Sequence, residues 1–512
     1  MIQTRALSGE DLTADDVWEV ALHAAPVTLA PGARERMDAA RDLVERAVHG
    51  GREHTYGINT GFGRFVSASI PEELTEELQL RLLRSHACGV GEAYPPEVVR
   101  AAMLLRANAL AKGCSGARVA TVELLIECLN RGVLPHVPAR GSVGASGDLA
   151  PLAHLALPLV GEGAAWFDGD LVDGAEALAR AGLRPVRLQA KEGLSLINGT
   201  QFMAAVGALG IVRARRLAKA ADLACALSLE ALQGSRLSFS PAIHELRPLR
   251  GQGESAANVL RLLEESAINE SHRWCDKVQD AYSLRCAPQV HGASRDLLDY
   301  VAYTVSVELN AATDNPLVLL EHEELVSNGN FHGQPLAFAL DALAMAVAEL
   351  ANISERRIER LVNPSLSDGL PAFLTSDGGL NSGFMIPQHV AASLVSENKV
   401  LAHPASVDSI PTSAGQEDHV SMGNASALKA WQVLANAERA LAIELLAGAQ
   451  AVEFLAPLEP GLGVRATRAF VRSLSPRLGD DRPLGGEIEA VAAAIREGSL
   501  VAAVEDEVGV LL

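Results

Sequence analysis

The chain has 512 residues, enough for about three domains or for one large helical unit. Hydrophobic residues make up 48% and aromatics only 4%, while 43 Lys and Arg face 63 Asp and Glu, a formal net charge of -20. That balance repels phosphate backbones and anionic lipid heads, which excludes nucleic acid and membrane surfaces as partners. The prevalence of Ala, Leu and Glu excludes an all-β sandwich.

The opening MIQTRALSGEDL lacks the basic segment and apolar run of a signal peptide, and no stretch approaches about 18 uninterrupted apolar residues. Cysteines at 88, 114, 128, 225, 275 and 286 form no Cys-x-x-Cys pair and no zinc-like cluster. Reduced thiols in a cytoplasm, with no metal, are the expectation.

Residues 1–200 alternate short helical patterns with glycine-rich turns: TYGINTGFGRF at 55–65, SHACGVGEAYPP at 85–96 and RGSVGASGDLAP at 140–151. Two Asp-Gly signals in AWFDGDLVDG, at 165–174, predict a small hairpin beside Trp166. From 201 to 512 the pattern becomes long and helical. Leu336, Leu340, Leu343, Val347 and Leu350 recur at helical intervals, as do Leu434, Ala437, Leu441 and Leu445. Alanines between them leave no fully charged outer face, so these helices are expected to be covered on several sides. The chain therefore reads as a loop-rich N-terminal region followed by a helical bundle, without a flexible linker.

The densest anomaly is RGSVGASGDLAPLAHLAL at 140–157. One reading is a glycine-rich turn into a helix, with Asp148 as N-cap and Pro151 in the first turn. A phosphate-cradling loop lacks its Gly-Lys-Ser/Thr ending. A third reading makes Ala145-Ser146-Gly147 a covalent precursor. The Gly147 amide nitrogen bonds to the Ala145 carbonyl carbon and two waters leave, one carrying the Ser146 hydroxyl, which gives a methylidene-imidazolone (MIO). Ser-Gly also occurs at 8–9, 115–116 and 382–383, but only 145 places Ala before it.

The wider string GSVGASGDLAPLA makes the third reading specific, and with it the chain resembles the aromatic amino acid ammonia-lyase family, in particular its histidine branch. The likeness continues through TYGINTGFG, EGLSLINGTQ at 192–201, QDAYSLRCAPQ at 279–289, DNPLV at 314–318, GNFHGQP at 329–335 and SIPTSAGQEDHVSM at 409–422. It implies an all-α, fumarase/aspartase-like bundle and a homotetramer whose sites are shared between subunits. It also implies an MIO formed autocatalytically from 145–147, with Ser146 the modified residue and no external cofactor. Standard side chains are nucleophiles, so an electrophile made from backbone gives the substrate amine something to attack. By the same resemblance Tyr56 takes the β-proton as phenolate, Tyr282 serves the MIO and amine region, and Arg285 holds the substrate carboxylate through a planar fork. Asn198 and Gln279 are matching polar positions around substrate and prosthetic group, and Phe331 an aromatic lining.

Substrate choice turns on two places. Ser85-His86 matches the ring-contacting pair of the histidine branch, whereas tyrosine and phenylalanine branches carry His-Leu and Phe-Leu. Glu417, in Gln416-Glu417-Asp418-His419, would accept from an imidazole N–H or handle the amine proton. Against phenyl it would be a buried, unpaired charge. The expected reaction is L-histidine to trans-urocanate and ammonia, the first step of histidine degradation. Rivals are an MIO-dependent tyrosine or phenylalanine lyase or aminomutase, an MIO-free fumarase-like lyase, and a helical scaffold. Gly415, where relatives have Asn, and His389, where a small apolar residue is common, depart from the pattern.

Overall fold

The computed structural model describes residues 4–49, 58, 60, 61, 65, 67, 68, 70–145, 147–274 and 277–512. Helices dominate it, and the chain forms two compact units. The first comprises Met1–Val212, Val301–Asp341 and Pro404–Leu428; the second comprises Arg213–Tyr300, Ala342–His403 and Lys429–Leu512. Four of the unit boundaries fall inside long helices, Gln201–Ala231, Ala287–Glu308, Gln334–Val362 and Gly423–Val452.

In the first unit a parallel pair, Arg5–Leu7 with Val27–Leu29, precedes helices that pack in short blocks. Helix Ala14–His23 starts with a capping box in which Thr13 and Asp16 satisfy each other's backbone N–H, and it packs on helix Pro96–Ala111. The latter is buried from Val98 to Ala111 except at Arg100, and this buried stretch includes Arg106 and Asn108. Strands Ala164–Phe167 and Asp170–Asp173 form the expected hairpin. Its turn residues Asp168 and Gly169 both have positive φ, which is the chemistry an Asp-Gly turn supplies.

Three short helices, Thr75–His86, Leu149–Ala156 and Glu192–Ile197, pack against one another. Strand Pro138–Arg140 pairs with Val90–Ala93 and feeds the loop that opens the second of these helices. His86, the 140–148 loop and Asn198 are thus brought to one end of a small helical cluster by local packing.

The second unit is built from longer helices. Leu434, Ala437, Leu441 and Leu445 are wholly buried along Gly423–Val452, as are Leu343, Val347 and Leu350 along Gln334–Val362; Leu336 and Leu340, on the stretch of that helix belonging to the first unit, are wholly buried too. Gln334–Val362 has the length and hydropathy of a membrane span, but 72% of its apolar window is buried inside the protein, as in a core helix. The second unit also buries a polar network. The Asp222 carboxylate accepts from Ser255 (2.6 Å), Asn258 (2.9 Å), His291 (2.8 Å) and Arg295 (2.6 Å).

Candidate active site

The 140–148 loop is held from several sides by backbone. Met422 N donates to Val143 O (2.9 Å), and Gly144 O accepts from Gly333 N (3.2 Å) and Ser421 Oγ (3.1 Å). The GNFHGQP and SIPTSAGQEDHVSM motifs therefore dock directly on it. Gly144 has φ +68° and a Cβ there would lie 2.2 Å from Ser421 Oγ, so only glycine lets these segments meet. Ala145 is buried. Gly147, at φ +74°, pairs with Gly199 in an isolated parallel bridge, and a Cβ on it would lie 2.0 Å from Gly199 O. Ser146 lies outside the described residues, as does Tyr56.

Asp148 occupies the N-cap position of Leu149–Ala156, but its side chain makes no cap hydrogen bond to that helix. This corrects the N-cap reading. Its carboxylate instead accepts from Phe202 N and Met203 N (3.0 Å each) at the start of Gln201–Ala231, and from Ser142 Oγ (3.0 Å). The Asp148 amide donates to Gly199 O (2.6 Å). The residue immediately after the tripeptide thus ties the loop to the N-terminus of the longest helix, where an anion is favoured. Burial pushes the Asp148 carboxyl up to about 6; the donors at Met203, Ser142 and Phe202 pull the other way, and nearby Glu308 adds to the rise. The half-buried Glu308 is likewise raised by desolvation, and it accepts from Thr200 Oγ1.

These contacts fit an MIO at 145–147. Gly144 and Gly147 sit in a cradle that a Cβ on either would fill, and the Asp148 amide is held by Gly199 O.

Asn198 is buried beside this loop, and its carbonyl accepts from Arg106 Nη1 (2.7 Å). Half-buried Phe331 precedes His332, whose ring stacks on His419 at 5.8 Å and whose Nε2 lies 3.2 Å from His419 O. His86 Nδ1 lies 2.9 Å from Leu82 O and 3.0 Å from Ser85 Oγ. Facing a carbonyl, Nδ1 carries the proton and Nε2 is the acceptor. Burial lowers the His86 pKa, against the Leu82 carbonyl and the negative charge of Glu417, which keeps the ring neutral. Glu417 is fixed by its own loop: its Oε2 accepts from Thr412 Oγ1 (2.5 Å), and Thr412 N donates to its carbonyl (2.9 Å).

That loop also accounts for Gly415. Ser413, Ala414 and Gly415 all have positive φ, at +50°, +56° and +83°. Asn and Gly are the residues that best tolerate this conformation, so the Asn-to-Gly departure keeps the backbone. Nothing in the structure explains His389.

Tyr282, Arg285 and Gln279 belong to the second unit. The segment Tyr282–Arg285 is helical, and the Arg285 guanidinium lies 4.6 Å over the Tyr282 ring, so the two do share a helical side. Arg285 donates to Gln279 Oε1 (2.9 Å) and Asp280 O (2.9 Å). Tyr282 is 72% exposed.

Sequence reasoning passed over Arg106, Gly199 and the true partners of Asp148. Arg106 had a signal: it is the lone charge in AAMLLRANALA, at 101–111. Gly199 had none beyond its place in a motif, because what a glycine faces is decided by distant chain.

The family model described as aromatic amino acid lyase matches residues 12–474. Histidine ammonia-lyase of Gloeobacter violaceus (strain ATCC 29082 / PCC 7421) is 57% identical over 503 residues, covering 98% of both chains. That of Anaeromyxobacter dehalogenans (strain 2CP-C) is 56% identical, covering 98% of this chain and 100% of the relative. Among solved structures, histidine ammonia-lyase from Trypanosoma cruzi superposes with a TM-score of 0.91 at 46% identity, covering 99% of this chain and 96% of that one. Tyrosine aminomutase from Streptomyces globisporus reaches 0.92 at 38% identity, covering 98% and 99%. A likeness that runs almost the full length, through the very segments that wall in residues 145–147, makes this chain a member of the aromatic amino acid lyase family.

Proposed function

We propose that the chain removes ammonia from L-histidine without oxidation, giving trans-urocanate, as the first step of histidine degradation. What supports the choice of substrate is the half-buried His86, whose Nδ1 lies 2.9 Å from Leu82 O and whose ring feels the charge of Glu417. His86, donating through Nδ1 to Leu82 O, presents Nε2 to an imidazole N–H. Glu417, held by Thr412, is an anion that suits imidazole or an amine proton and would be stranded against phenyl.

An MIO made from Ala145, Ser146 and Gly147 supplies an electron-poor carbon for the substrate amine. The chain's own groups do the rest. Tyr56 takes the β-proton, which requires surroundings that favour its phenolate. Arg285 grips the carboxylate in a bidentate fork, with its plane steadied over Tyr282. Asn198 and Gln279 orient the polar groups, and Phe331 limits water. A homotetramer with shared sites accords with the exposure of Tyr282 and Gln279, which leaves both able to serve a neighbouring subunit. The five described cysteines are all unpaired, as a reducing cytoplasm would leave them.

The test pairs intact mass with product analysis on one purified sample. Loss of two waters together with urocanate formation is expected, and Ser146→Ala should retain both waters and lose turnover. Cinnamate, coumarate or a β-amino acid in place of urocanate would overturn the substrate assignment.

A further inference from the structure

Arg106 sits in the middle of helix Pro96–Ala111 with no exposed surface. A guanidinium in such a place is expected to be paired with a carboxylate or to have its five N–H groups satisfied. It has neither. Nη1 donates to Asn198 O (2.7 Å) and Gln201 Oε1 (3.1 Å), whereas Nε and Nη2 have no hydrogen-bond partner among the described residues. The buried carboxylate whose charge reaches it, Asp314, is engaged by Lys191 (2.7 Å) and Ser195 (3.2 Å). Burial lowers the Arg106 pKa to about 10, partly countered by Asp314, so the group stays cationic at neutral pH. A charge kept dry with two idle donors is costly, and its one strong bond goes to backbone.

That backbone is the segment opposite the tripeptide. A Cβ on Gly199 would lie 2.6 Å from Arg106 Nη1, 2.3 Å from Gln201 Oε1 and 2.8 Å from Thr313 Oγ1. Gly199 is therefore pressed onto a floor of which Arg106 is the charged member. On its other side its carbonyl takes the Asp148 amide at 2.6 Å and leaves no space for a Cβ on Gly147. The connection runs from Arg106 through residues 198 and 199 to residues 147 and 148 without a gap.

We infer that Arg106 is a positioning residue for ring closure, fixing the Asn198–Gly199 backbone so that Gly147 is held against Ala145. The inference rests on the reading of 145–147 as an MIO precursor. In the step it serves, the Gly147 nitrogen bonds to the Ala145 carbonyl carbon, whose oxygen leaves as water with the Gly147 and Ser146 amide protons, and that carbon becomes doubly bonded to the Ser146 nitrogen. Ser146 then gives up its hydroxyl and its α-hydrogen as the second water. No oxidant or reductant enters. Arg106 touches none of these atoms; it acts through position 199.

The experiment measures intact mass, circular dichroism and urocanate turnover on the full-length wild type, Arg106→Gln and Arg106→Lys. The wild type should lack two waters. Folded Arg106→Gln should keep both in most chains, with turnover falling in proportion to the unclosed fraction. Arg106→Lys, which retains a buried cation but with a single donor nitrogen in place of the fork, should close partially. A folded Arg106→Gln that is fully dehydrated overturns the inference. If that variant is not recovered folded, Arg106→Lys decides: dehydration equal to wild type overturns it, and retained water in folded chains supports it. A wild type that keeps both waters sinks the MIO reading itself, a result distinct from either.

Discussion

Asp148 in the first unit and Asp222 in the second are both fully buried aspartates, yet their carboxyls are displaced in opposite directions. Burial alone would raise both. At Asp148 the opposing donors are two backbone N–H groups and one hydroxyl, all neutral, and the carboxyl ends near 6. At Asp222 burial is overcome by Arg295 and His291 with help from Ser255, and the carboxyl falls to about 2. In the helical bundle of the second unit this buried carboxylate is paired with charged groups. The loop next to the tripeptide holds its anion with dipoles, which keep its backbone gripped but do not neutralise it.

The sharpest way to break this contrast is Asp222→Ala. It strands Arg295 and His291 in the bundle and should remove about 3–5 kcal/mol of stability in urea unfolding, while any chains that remain folded stay dehydrated at 145–147. An equal loss of water elimination would show that the two regions are not energetically separate.

The pH dependence of stability should also have opposite signs. The folded pKa of Asp222 lies below the ordinary 3.8, so its contribution, on the order of 2 kcal/mol, is present above 3.8 and is lost as pH falls toward 2. The folded pKa of Asp148 lies above 3.8, so its contribution is fully present below 3.8 and is lost as pH rises toward about 6. Urea midpoints across this range for wild type, Asp148→Asn and Asp222→Asn should remove one slope each; the same slope lost in both would refute the assignment.

His86→Leu tests the site alone. It should lower kcat/KM for histidine by roughly 10–100-fold, because a half-buried acceptor for the ring N–H is gone, with the melting temperature little changed. The smallest effect is at Gly415, where Asn should shift stability by less than about 0.5 kcal/mol and Val should cost about 1–2 kcal/mol, through φ rather than space.

What the sequence made legible was local. The Asp168-Gly169 turn, the heptad-like leucines of 336–350 and the order of motifs are decided by neighbours a few residues away, and each appears in the structure where its pattern placed it. Asp148 shows where local reasoning stops. Its residue type and place before a helix suit an N-cap, but the amides it serves lie 54 and 55 residues further on. Likewise, texture divides the chain near 200, while packing returns 301–341 and 404–428 to the company of the first 212 residues. Tyr56 and Ser146, both central to the proposed chemistry, fall outside the described residues, so their roles rest on motif alone.

Met203 gives the three glycine-bearing segments a common meeting point. Cβ atoms on Gly144, Gly333 and Gly423 would lie 3.5, 2.6 and 2.4 Å from its sulfur or terminal methyl. The loop at 144 is therefore complete only after residue 423 of 512 has been synthesised. On a ribosome that adds about 5–20 residues per second, the precursor tripeptide spends many seconds as ordinary peptide before its walls arrive. On the proposed MIO reading, a nascent chain stalled before 421–423 is expected to carry Ala-Ser-Gly unaltered.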